Sequence, residues 1–125
     1  MIITALSIAI QARIPVLIWG KPGVGKTMGT TSISKALSRH LEVLIASIRE
    51  PSDFSGLPVI REMGVAMEPP AWARRLAESK NGILFIDEIT TAPPAVQAAL
   101  LRVVFDRVVG DLELPDGISI VAAAN

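Results

Sequence analysis

Cysteine is absent from the 125 residues, which excludes disulfides and thiolate metal centres and is compatible with a cytoplasmic location. Long apolar runs are missing too. Half of the residues are hydrophobic and mean hydropathy is +0.50, yet Arg13, Lys21, Lys26 and later charges interrupt every stretch before the ~18 residues of a spanning helix. Nor does charge of one sign prevail: twelve basic residues balance twelve acidic ones, so no global field draws the chain toward nucleic acid or anionic lipid. The apolar opening, 1–12, lacks the basic start of a secretion signal and runs on into a glycine-rich loop, so a cytoplasmic protein is expected. The length suits one domain, 1–125, with its own core. Its apolar surplus fits strands buried on both faces of a parallel sheet.

Polar residues in the first segment fall at Thr4, Ser7 and Gln11, the spacing of a largely buried helix that Pro15 closes. Residues 15–19 read as a buried strand ending at Gly20, and 27–40 as a helix with Ile33, Ala36 and Leu37 on one face. His40 falls at its C-terminal end, where the helix dipole favours it. Strands follow at 42–47, 82–86 and 118–124. Between the first two, 57–67 suggests a hairpin around Glu62-Met63-Gly64, and Pro69-Pro70 leads into a helix over 71–79. Thr90 or Thr91 is placed to cap a helix that begins at Pro93-Pro94 and turns Val96, Leu100 and Val103 inward; 108–114 reads as a second hairpin. Strands alternating with helices imply right-handed crossovers, a parallel sheet, and a ligand crevice beyond the strands' carboxyl ends.

Three segments should meet in that crevice. Gly20-Lys21-Pro22-Gly23-Val24-Gly25-Lys26-Thr27 has the phosphate-loop pattern: the glycines let successive N–H groups line an anion nest, Lys26 reaches the outer phosphates, and Thr27 offers a hydroxyl to Mg²⁺. At the end of the apolar run 83–86, Asp87 is the candidate metal residue and Glu88 the candidate general base for an attacking water. Asn125, after the last strand, either orients that water or contacts the γ-phosphate, or simply ends the strand. Ser47 is a candidate to hold Glu88 in an inactive pose. Trp72 reads as a core anchor, Asp53 as a turn cap, and Arg74 and Arg75 as a solvated helix face.

These elements resemble the Walker A, Walker B and sensor 1 motifs of AAA+ ATPases. The strings 15–27, Asp53-Phe54-Ser55-Gly56, Pro69-Pro70-Ala71-Trp72-Ala73 and 95–104 are similar to the MoxR-type branch. The resemblance implies an α/β P-loop NTPase three-layer sandwich, with a parallel sheet holding four of the expected five strands and two inserted β-hairpins at 57–67 and 108–114. It implies ATP and Mg²⁺ as cofactors and hydrolysis that drives remodelling or maturation of a partner protein. It also implies a hexameric ring and a partner with a von Willebrand factor A domain. In that family the arginine finger, fifth strand and helical lid follow sensor 1, so 1–125 is expected to be a partial core. Such a core should hydrolyse little alone, because a trans arginine is worth ~10³ or more in rate. Two other classes compete: a P-loop kinase or transferase, which has little use for Glu88, and a nucleotide-gated interaction module without turnover.

Overall fold

The computed structural model describes residues 2–20 and 26–124. The first helix α1 (Ile2–Gln11) precedes strand β1 (Val16–Trp19), which leads to helix α2 (Lys26–Ala36) and strand β2 (Leu41–Ile45). A short helix α3 (Ser52–Ser55) introduces a hairpin of β3 (Leu57–Arg61) and β4 (Gly64–Glu68), and helix α4 (Ala71–Ser79) follows. Next come β5 (Ile83–Asp87) and helix α5 (Pro94–Leu101), the latter prolonged by a wider π-type turn over Arg102–Asp106. A small hairpin of β6 (Val108–Val109) and β7 (Leu112–Glu113) leads to β8 (Ser119–Ala124).

Strands β1, β8, β5 and β2 form one parallel sheet in that order. Period-two alternation sends β5 side chains to two separate cores, which makes the molecule three-layered. Leu84 and Ile86 pack with Trp72, Leu76, Val96 and Leu100 on one face; Ile83 and Phe85 pack with Leu6, Ile10 and Ile33 on the other. Burial of each such side chain contributes about 1.5–3 kcal/mol, so the central strand is the most firmly fixed element. The architecture is the expected α/β P-loop sandwich with four parallel strands and two hairpins.

Several local expectations change. Strand β1 is an edge, paired with β8 alone among the described strands, so Leu17 and Trp19 are exposed rather than buried. Helix α1 buries Leu6 and Ile10 but leaves Ile8 exposed, because it covers the sheet with one stripe only. Helix α2 ends at Ala36 instead of continuing to His40; Ser38 takes a left-handed φ of 53°, and His40 lies beyond the helix, against Glu42. The hydroxyls of Thr90 and Thr91 cap nothing at α5: Pro93 stands at its N-cap, and Thr91 donates to the Glu88 carbonyl at 3.1 Å. Val96, Leu100 and Val103 do face the core.

At the strands' amino ends, Arg39 ties the layers together. Its guanidinium donates to the carbonyls of Ile10 (3.4 Å), Gly82 (3.2 Å) and Gly117 (2.9 Å), to that of Asn81, and to the Ser119 hydroxyl (2.8 Å). With the amino ends closed in this way, the opposite end carries the site.

Candidate functional site

Register decides what meets at the carboxyl edge. Trp19 pairs with Ala124 and Ile86 with Ala122, so Gly20, Ala124 and Asp87 leave the sheet side by side. The Gly20 N–H closes the row by donating to the Ala124 carbonyl at 3.1 Å. Lys26, which opens α2, donates from Nζ to the carbonyls of Gly20 (2.9 Å) and Ala124 (3.0 Å). Its ammonium therefore sits between the ends of β1 and β8, at the positive end of an eleven-residue helix.

Beside it, the Thr27 hydroxyl lies 3.4 Å from Asp87 Oδ2. Both are hard oxygens of the kind Mg²⁺ prefers, and they stand side by side. Among the described residues no cluster of three His, Cys, Asp or Glu forms.

Glu88 follows in a left-handed conformation (φ 55°, ψ 43°), uncommon for a residue with a side chain. That twist takes it out of the strand. Its N–H donates to Asp87 Oδ1 at 2.8 Å, while its Oε2 accepts from the Ser47 hydroxyl at 3.3 Å. Ser47 belongs to the short 3-10 turn that ends β2, in the strand pairing directly with β5. The structure thus brings together Gly20, Lys26, Thr27, Asp87, Glu88 and Ser47. Lys21, Pro22, Gly23, Val24, Gly25 and Asn125 lie outside the described residues.

A family model for the AAA domain of the dynein-related subfamily matches residues 15–124. This chain belongs to the AAA family. The AAA domain is 33% identical over 106 residues to protein MoxR of Methylorubrum extorquens, covering 84% of this chain and 31% of that protein. It is 31% identical over 122 residues to the Psp operon transcriptional activator of Escherichia coli, covering 89% and 37%. The chain therefore spans about a third of the length of the curated relatives it matches. Among solved structures, a Cytophaga hutchinsonii protein named provisionally as an ATPase superposes with a TM-score of 0.65 at 23% identity, over 99% of this chain and 38% of that one. A Thermotoga maritima RuvB variant gives 0.63 at 24%, over 98% and 37%. The solved structures carry the fold alone, and the family model implies nucleotide binding. The MoxR-type resemblance of the local strings agrees with the MoxR identity.

Sequence reasoning overlooked the two backbone carbonyls that hold Lys26, since a main-chain acceptor has no residue signature. It also read Arg74 and Arg75 as a solvated face. Both are exposed, as that reading has it, and from this face Arg75 grips the buried Glu42 at 2.9 and 3.0 Å while Arg74 pairs with Glu68. Burial opposes ionisation of Glu42, but Arg75 and His40 outweigh it and hold the carboxyl below its usual 4.5. The expected turn cap is present: Asp53 accepts from the Glu50 N–H at 2.9 Å, and Asp53's carbonyl receives the Trp72 indole N–H at 2.9 Å. Among the described residues no helix is long and apolar enough to cross a membrane.

Proposed function

We propose that this AAA domain binds ATP with Mg²⁺ between Lys26, Thr27 and Asp87 and hydrolyses it, with Glu88 as general base. The supporting observation is the meeting of the Thr27 hydroxyl with Asp87 at the mouth of α2, with Glu88 next in the chain. Gly20 to Thr27, including Lys21, Pro22, Gly23, Val24 and Gly25, supplies the phosphate cradle of this reading, and Asn125 the amide near the γ-phosphate. Lys26 exchanges its two carbonyl partners for phosphate oxygens. Magnesium, held by Thr27 and Asp87, would offset charge on the phosphates. Glu88 takes the proton of the attacking water once Ser47 releases its carboxylate.

The same proposal places the domain in a MoxR-type machine: a hexameric ring in the cytoplasm that remodels or matures a partner protein, with a von Willebrand factor A protein as companion. A fifth strand beside β1 belongs to it as well. Among the described strands β1 pairs with β8 alone, which leaves it an open edge for that strand.

The test is Glu88→Gln in the assembled full-length protein. ATP affinity, measured by calorimetry, should persist while turnover drops roughly 10²- to 10⁴-fold, the range for a lost general base. Equal turnover in the two proteins would remove Glu88 from the role. Unaltered binding with no turnover in either protein would favour a nucleotide-gated module.

A further inference from the structure

The two hairpins are anchored very differently. In the second, Val109 is fully buried, and Leu114 just after it joins the same core. In the first, no residue of β3 or β4 is buried, and Leu57, Ile60, Met63 and Val65 face solvent. Apolar packing therefore cannot fix the direction in which the first hairpin projects.

Its root is fixed by polar contacts to the second hairpin. The Met67 N–H, on β4, donates to Asp111 Oδ2 at 2.8 Å, and the Asp111 N–H returns the bond to the Met67 carbonyl at 2.9 Å. Asp111 thus occupies both backbone groups of Met67, as a neighbouring strand would. Two glycines permit this approach. A Cβ on Gly110 (φ +60°) would stand 2.6 Å from the Met67 carbonyl oxygen; one on Gly56 (φ +82°) would stand 2.7 Å from that of Glu68 and 3.1 Å from the Gly110 Cα. The junction is backbone against backbone, where a side chain would force the hairpins apart. From the turn that prolongs α5, Arg102 donates to the Gly110 carbonyl at 3.2 Å and ties the junction to the body.

We propose that Asp111 is a latch that makes the two hairpins one arm, rooted in the core through the second hairpin and presenting the exposed apolar residues of the first. Force on Ile60 or Met63 then reaches Val109 and Arg102 instead of being lost in a pliable root. The proposal does not depend on nucleotide chemistry. Glu68, paired with Arg61 and Arg74, is the other polar tie at this root and serves as the comparison.

Because the chain has no cysteine, Glu62→Cys and Glu113→Cys admit spin labels at two exposed sites, one on each hairpin, and dipolar spectroscopy reads the distance between them. One narrow maximum is expected. Asp111→Ala should lose that maximum to a broad distribution, Asp111→Asn should keep it because its amide oxygen still accepts from Met67, and Arg74→Ala should leave it narrow. A distribution as narrow in Asp111→Ala as in the parent would overturn the latch, as would broadening in Arg74→Ala alone. Hydrogen exchange on the unsubstituted chain decides the matter should Asp111→Ala not fold: a Met67 amide exchanging at the free-peptide rate also overturns it.

Discussion

Lys26→Met separates the proposed phosphate role of this lysine from the structural tie it makes to backbone carbonyls. A phosphate-binding lysine read from its motif alone has nothing to do until nucleotide arrives, so its loss would leave the empty protein untouched. The structure gives it prior work, since Nζ joins the carbonyls of Gly20 and Ala124 and so pins the ends of β1 and β8 together. Hydrogen bonds from a charged donor contribute about 1.5–3 kcal/mol each, and for two part-buried bonds a combined loss near 2 kcal/mol is a moderate expectation. Methionine keeps an unbranched apolar stem, so the change isolates the ammonium. With about 3–5 °C per kcal/mol for a domain of this size, the nucleotide-free melting temperature should fall by roughly 6–10 °C. Ligand linkage adds a second reading: MgATP at a hundred times its Kd should stabilise the parent by about 2.7 kcal/mol, and the variant should show almost no shift. Differential scanning fluorimetry with and without MgATP measures both. An unchanged melting temperature without nucleotide refutes the carbonyl tie, and a retained ligand shift refutes the phosphate role.

Other substitutions probe the surroundings. Glu42 has a folded-state pKa below its unfolded value, so the stability it provides is complete above about pH 4.5 and disappears as the pH falls through the lower folded value. Urea titrations should show the parent more stable than Glu42→Gln near neutrality, with the gap closing in acid; a gap that widens in acid contradicts the assignment. Phe54→Ala removes a ring that is 1% exposed and packed 6.1 Å from Trp72, and should cost about 3–5 kcal/mol in urea unfolding. A loss too small to shift the midpoint would mean that Phe54 does not anchor the core. Ser47→Ala frees Glu88 from a bond worth about 0.5–1.5 kcal/mol, so basal turnover of the full-length assembly should rise roughly 2- to 10-fold. A fall in turnover would mean instead that Ser47 helps to position the base.

The sequence by itself determined the local elements and which of them carry the candidate site residues. The loop ending in Lys26-Thr27, the run Ile83-Leu84-Phe85-Ile86 closing on Asp87-Glu88, and the hairpin at Glu62-Met63-Gly64 are all legible, because periodicity, glycine spacing and strand-end carboxylates are properties of neighbouring residues. Tertiary structure decided what lies next to what. Strand order made β1 an edge and exposed Trp19, although its residues are as apolar as those of buried β5. Parallel register put the Ala124 carbonyl within reach of Lys26, the pairing of β2 with β5 brought Ser47 to Glu88, and the closeness of two glycine turns let Asp111 meet Met67. Each of these contacts joins residues far apart in the chain, and a pairing of that kind is set by how whole strands and hairpins dock, which no local pattern encodes.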